Sequence, residues 1–313
     1  MTDDIEPVST FCVQDPFTVN DYADVILRSS DGFSFYAIKC LLSMTSPIFR
    51  DLFSHPKATI RAGQVGEWNL PVVDITESGI VTDALLRYLY PVDDPDLTVE
   101  LAFDVLLATQ KYEIQHALRL AKKAIRALCS VDESAALRTF ALASRHRLEN
   151  EIRFAAQESL KYCLLKSPQI HQLAIDPSSG RAILILSQYH NEVANRVADV
   201  FLRSPDALKG FILCEGCNNT GSPYSPRCKV LSTWWTNLCH DMTQLKRASI
   251  CGPLSENGIS VADISKRVNS AACYSCNCRF LQEGPDKFVK NLKGAMEETA
   301  SEVTFHIPWE EAQ

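Results

Sequence analysis

Along this chain the apolar positions change period several times, and each change predicts an element. Asp24-Val25-Ile26-Leu27-Arg28 is a short apolar run bounded by charge, and Ser30-Asp31-Gly32 follows it. Asp-Gly between two apolar runs predicts a hairpin, because both turn residues accept positive φ. The return run puts Phe33, Phe35 and Ala37 on one face and Ser34, Tyr36 and Ile38 on the other. Apolar groups on both faces predict a strand covered on both sides. Helical spacing then takes over. Leu41, Leu42 and Met44 lead to Ser46-Pro47, an N-cap followed by a first-turn proline. Ile48, Phe49, Leu52 and Phe53 form one apolar stripe. Residues 54–66 read as a polar loop and Glu67–Val73 as a short strand.

Three further helices complete this stretch. Ser78 is placed to cap one in which Val81, Leu85, Tyr88 and Leu89 share a face, and Pro91 ends it. Leu101–Tyr112 turns Leu101, Val105 and Leu106 inward, and Ala117–Leu128 turns Leu118, Ala121, Ile125 and Leu128 inward. Residues 1–20 lack periodicity and read as a disordered lead-in. Beyond residue 126 the pattern is helical to about residue 204. Asp132 caps a helix carrying Ala136, Leu137, Phe140, Ala141 and Ala143, and Ser178 another carrying Ile183, Leu186, Val193, Val197 and Phe201. No repeat of 20–50 residues occurs.

Several of these blocks, in series over residues 21–126, resemble a BTB/POZ domain. They are Asp24-Val25 with the Asp-Gly hairpin, Lys39-x-x-Leu42-x-x-x-Ser46-Pro47-x-Phe49-Arg50-Asp51-Leu52-Phe53, Leu85-Leu86-Arg87-Tyr88-Leu89-Tyr90-Pro91, and Ala108-x-x-Lys111-Tyr112. One position departs: the family usually has His before the lysine of the first helix, and this chain has Ile38. The fold class expected is α+β, a small sheet with helices. The helices after it resemble the extension many members of that family carry. The domains expected are a lead-in at 1–20, a BTB/POZ-like domain at 21–126, a helical extension at 127–210, a Cys-rich, mainly helical module at 211–290, and an acidic tail at 291–313.

Size and charge narrow the function classes. At 313 residues, 46% hydrophobic and 22% charged, the chain has material for two or three globular units. Its longest apolar runs, such as Ala182–Leu186, are far short of the roughly 20 residues a membrane span needs. The start, Met1-Thr2-Asp3-Asp4-Ile5-Glu6, is acidic and carries no secretory pattern, so an intracellular place, cytoplasm or nucleus, is expected. The net charge of −7 is uneven: −7 over residues 1–126, +1 over 127–210, +3 over 211–290 and −4 over 291–313. No run of five or more Lys/Arg occurs, so nucleic-acid binding through a dedicated basic patch is not supported.

Twelve cysteines in a reducing compartment point to metal binding where clustered and to burial where scattered. Cys214-Glu215-Gly216-Cys217 and Cys273-Tyr274-Ser275-Cys276 are two C-x-x-C pairs, able to offer four thiolates in the tetrahedral array of a structural Zn²⁺. Fifty-five residues separate them, more than the usual about 15–20. Trp235, Leu238, Met242 and Leu245 make a helical stripe within that insertion. Reduced cysteines packed in a small core remain the alternative. Paired C-x-x-C motifs around a Trp-Trp segment resemble the C-terminal parts of basidiomycete-type fungal BTB proteins. Cys12, Cys40, Cys129 and Cys163 stand alone and read as packing residues, and Cys239 as a small buried hydrophobe.

No phosphate-binding loop, nucleophile elbow or metalloprotease motif occurs, and the seven histidines are isolated. A non-enzymatic interaction protein is therefore expected. The resemblance implies self-association, or pairing with another BTB protein, with Asp24 and Lys39 as a charged pair near the dimer face and Leu41–Phe53 supporting it. It also implies an adaptor role in which a cullin-based ubiquitin ligase recruits substrate. The cullin signature is met at Val65-Gly66-Glu67, and Phe49 and Glu67 are the contact candidates. The alternative is a transcription- or chromatin-linked regulator that dimerises through the BTB domain and binds through its Cys-rich module.

Overall fold

Val25–Arg28 (β1) and Ser34–Ala37 (β2) pair antiparallel, with Val25 opposite Ala37 and Arg28 opposite Ser34. Ser29 closes the loop by accepting the Gly32 N–H through its carbonyl (3.0 Å) and giving its own N–H to Phe33 (2.9 Å). Gly32 has φ +89°, while Asp31 stays out of the left-handed region. The turn therefore needs one positive φ, not two, as in a three-residue loop with a glycine bulge. Val72–Asp74 (β3) lies parallel to β1 on its other side, Ile26 opposite Val72, giving the order β2-β1-β3. As the central strand β1 is buried on both faces, which explains its continuous apolar run.

The computed structural model describes residues 11–54, 70–162, 164, 177–202, 240 and 285–307. The expected strand at Glu67–Val73 lies partly outside these residues, and its described part begins at Val72. Contacts divide the chain into two compact units, Met1–Leu128 and Cys129–Gln313.

In the first unit the sheet is joined by α1 (Lys39–Thr45), α2 (Pro47–Ser54), α3 (Gly79–Arg87), α4 (Val99–Lys111) and α5 (Gln115–Cys129). Ile26, Tyr36 and Val72 form a core cluster on one sheet face, with Ala23 and Leu70 against it. On the other face Phe35 meets Phe11 and Phe17. Residues 11–20 are thus not a disordered lead-in. Phe17 is fully buried, its carbonyl accepts the Tyr36 N–H at 2.9 Å, and its ring stands edge-on to Tyr90 at 5.1 Å. This strap covers the outer edge of β2, where an unpaired strand edge would otherwise be exposed. Residues 1–10 lie outside the described ones.

In the second unit α6 (Glu133–Arg145) packs on α7 (Glu149–Ser159), and α8 (Pro177–Leu202) packs on α6 and on α9 (Pro285–Glu302). Asp132 caps α6 as its sequence position indicates, accepting the Ala135 N–H at 2.7 Å. Ser178 does not cap α8, which already begins at Pro177. The expected acidic tail is not a loose tail over its described part. Met296 and Ala300 of α9 are buried, and so are Val303, Phe305 and Ile307 after it. The acids there lie on the outer face of a helix whose inner face is apolar. The Cys-rich module at 211–290 lies almost entirely outside the described residues.

Candidate interaction surface

The first unit uses its sequence blocks mainly to lock helix ends together. Ser46 is fully buried. Its hydroxyl accepts the Phe49 N–H (3.1 Å), capping α2, and donates to the Tyr112 carbonyl (2.6 Å) at the end of α4. The Tyr112 ring stacks on Phe49 at 4.6 Å, and Phe53 also stacks on Phe49 at 6.0 Å. Tyr112 O–H donates to Glu77 at 2.5 Å, and Lys111 Nζ donates to the other Glu77 oxygen at 2.7 Å. Burial by itself would raise the Glu77 pKa, but the hydrogen bonds from Lys111 and Tyr112 outweigh it and hold the carboxyl below its usual range. Burial, and then Glu77, push the Tyr112 phenol up, so it stays a donor. Lys111-Tyr112 is therefore a structural staple between α4 and the turn after β3.

Two further caps were not legible as such. Asp31 of the hairpin turn accepts the Gly79 N–H through both carboxylate oxygens, at 2.8 and 3.1 Å. It caps α3 in place of Ser78, whose side chain makes no cap bond. The apolar stripe expected on that helix, Val81, Leu85, Tyr88 and Leu89, is buried. Gly79 has no room for a side chain, since a Cβ there would come within 2.6 Å of Phe33 and 2.8 Å of Phe11. The Tyr90 hydroxyl oxygen accepts the Ile38 N–H at 2.9 Å. A His at position 38 would present the same main-chain donor, so the change to Ile38 leaves this tie intact.

Asp24 and Lys39 do meet, but through the main chain. The Asp24 carboxylate accepts the Lys39 N–H at 2.6 Å and so caps the start of α1. A negative charge there also suits the helix dipole. Phe49 is 1% exposed and is a core residue rather than a surface contact. Glu67, Cys163, Cys239 and the four zinc-ligand candidates Cys214, Cys217, Cys273 and Cys276 lie outside the described residues. Cys129 is buried, with burial pushing its thiol up to about 12, as a packing residue requires. Cys12 and Cys40 are exposed, contrary to their expected packing role.

Cys40 belongs instead to the outer surface of α1, beside the Leu41–Phe53 stretch expected to support a dimer face. On α1, Leu42 is buried, and Met44, two residues or about 200° further round the helix, points away from the core. Met44 is 79% exposed and meets Cys40 one turn back, sulfur to sulfur, at 3.9 Å. Leu41, Ile48 and Phe53 of α1 and α2 remain half-buried. Met44 lies at i+3 from Leu41 and so on its side of α1, away from the buried Leu42.

In the second unit a buried Ser159–His190 pair has hydroxyl-to-Nε2 geometry at 2.8 Å. Ser159 also donates to the Ala156 carbonyl at 2.7 Å, so its oxygen is left to accept from His190 Nε2–H. That places the bare nitrogen at Nδ1, which is buried without a partner among the described residues. Both side chains are sealed from solvent.

The BTB/POZ domain family model matches residues 13–128. Among solved structures, the BTB domain of zebrafish PATZ1 is similar, at 20% identity and a TM-score of 0.27, covering 34% of this chain and 77% of that one. No curated protein matches the chain. No helix among the described residues is long and apolar enough to cross a membrane. The family match over residues 13–128 coincides with the strap, the three-stranded sheet and its five helices, and this part of the chain is a BTB/POZ domain, a module for protein–protein interaction.

Proposed function

We propose that this chain is a non-enzymatic adaptor whose BTB/POZ domain self-associates through the outer face of α1. The observation that carries the reading is Met44, a large apolar side chain 79% exposed beside Cys40 on a helix whose inner face is already filled. Single exposed apolar residues are common, but Leu41, Ile48 and Phe53 on α1 and the adjacent α2 are also left partly exposed. Asp24 serves that surface indirectly, by fixing the start of α1. The same surface would seat another BTB protein as readily as a second copy.

A cullin-linked role is the finer form of this reading. It rests on the domain family and on Val65-Gly66-Glu67, with Phe49 now assigned to the core. Changing Phe49 would therefore test folding, and Glu67 is the residue to alter in a cullin pulldown. For self-association, two differently tagged copies are co-expressed and one tag is captured. Both copies co-purify if the reading holds, and Met44→Asp in both abolishes it. Retention of the Met44→Asp pair would place the contact elsewhere.

A further inference from the structure

The second unit contains an extended segment whose main chain is half-paired. From Val303 to Ile307 burial alternates: Val303, Phe305 and Ile307 are buried, and Thr304 and His306 are exposed. Period two is the pattern of a strand lying on a packed surface. Phe305 anchors it, with its ring edge-on to Phe140 at 5.6 Å and to Tyr189 at 5.2 Å. Its carbonyl accepts a hydrogen bond from the Arg153 guanidinium at 2.8 Å. Alternate residues of an extended chain direct their N–H and C=O groups to opposite edges. Phe305 addresses the Arg153 edge, so Thr304 and His306 address the other. Among the described residues, the main-chain groups of these two make no hydrogen bond.

That open edge borders a groove of about 240 Å³ between the segment and α8, walled on the helix side by Ile185, Gln188, Tyr189 and Glu192. Tyr189 is 5% exposed, and its phenol oxygen is sealed from solvent with no hydrogen-bond partner among the described residues. Burial, and then the Glu192 carboxylate, push that phenol up to about 12, so it is a donor at any ordinary pH. Glu192 is exposed and gives the wall a negative charge.

We infer that the groove receives an extended peptide carrying a Lys or Arg, added as a short strand along Thr304–His306. The peptide main chain pairs with the free main-chain groups of Thr304 and His306, and the basic side chain meets Glu192. Strand addition draws affinity from main-chain bonds and specificity from the flanking wall. Charge selects the occupant: the residues that follow this segment include Glu310 and Glu311, of the same sign as Glu192, and so are not matched to it.

The test uses the full chain and a dye-labelled pentapeptide of alternating valine and threonine with arginine at its centre, read by fluorescence anisotropy. The same peptide with glutamate at its centre should bind about tenfold more weakly, the equivalent of one good charge contact. Glu192→Lys, an exposed helical substitution, should reverse that preference. Tyr189→Phe, which keeps the ring and changes only a sealed hydroxyl, should leave both affinities unmoved. N-methylation of alternate peptide nitrogens should abolish binding. Equal affinity for the two peptides, or a preference unmoved by Glu192→Lys, would overturn the proposal.

Discussion

At the scale of single residues the BTB/POZ domain is held by side chains that satisfy helix ends from a distance. Ser46 shows the energetics. Its hydroxyl caps α2 and meets the Tyr112 carbonyl 66 residues away, and both bonds are buried. Ser46→Ala removes a cap worth about 1 kcal/mol and leaves a buried carbonyl unpaired at a cost of about 1–3 kcal/mol. A loss of about 2–3 kcal/mol in urea denaturation is the expected result, and one below about 0.5 kcal/mol would remove Ser46 from the framework. The sequence shows half of this role, because Ser-Pro before an apolar stripe announces a cap. The partner at Tyr112 is set by tertiary contact and leaves no local trace. Asp31 was misassigned for a related reason. Its place before Gly32 accounts for it as a turn residue, and nothing nearby says that its carboxylate reaches α3.

His190 carries a pH signature at the same scale. Burial holds its pKa down to about 3, against an ordinary value near 6.5. The folded state therefore keeps the neutral ring while the unfolded chain takes up a proton below about pH 6.5. Stability is fully present above that pH and falls as pH drops from about 6.5 towards 3, with a slope approaching 1.4 kcal/mol per pH unit. Urea melts at pH 7, 6, 5 and 4 should show wild type losing more stability than His190→Gln across that range. Parallel pH profiles for the two proteins would mean that the ring titrates normally inside the fold.

Elements end here in ways that composition hides. The helix α4 closes with the Ile114 N–H on the Thr109 carbonyl (2.9 Å) and the Glu113 N–H on the Gln110 carbonyl (3.1 Å). The residue that must turn left-handed is Glu113, φ 55°, where glycine is the usual occupant. α6 repeats the motif at Arg147, also φ 55°, with Leu148 bonded to Ala143. Glu113→Gly should therefore stabilise the domain by about 0.5–1 kcal/mol in thermal or urea melts, since relief of left-handed strain exceeds the added chain entropy. Destabilisation would show that Glu113 makes a compensating contact. The sequence placed the end of this helix correctly, at Tyr112, because the apolar period stops there. It misread the strap, whose prolines and acids look like a flexible lead-in although Phe11 and Phe17 are the residues that count. It misread α9 because a run of acids masked the Met296–Ala300 face.

For the molecule as a whole, the first unit was legible because its strands, caps and stripes recur in a known order. The second was legible as helices but not as a packing, since apolar period alone does not say which helix meets which. The candidate surface was the least legible part. Phe49 stood out as an aromatic in a family block and proved to be core, while Met44 was absorbed into an apolar stripe from which it in fact projects. That reassignment makes the central claim, self-association through α1, testable in one measurement. Sedimentation equilibrium of the intact chain, with Met44→Asp beside it, reads the assembly directly. Wild type should converge on twice 34.9 kDa as concentration rises, and Met44→Asp should stay at 34.9 kDa. A wild-type mass of 34.9 kDa at every concentration, or a dimer indifferent to Met44→Asp, would contradict it.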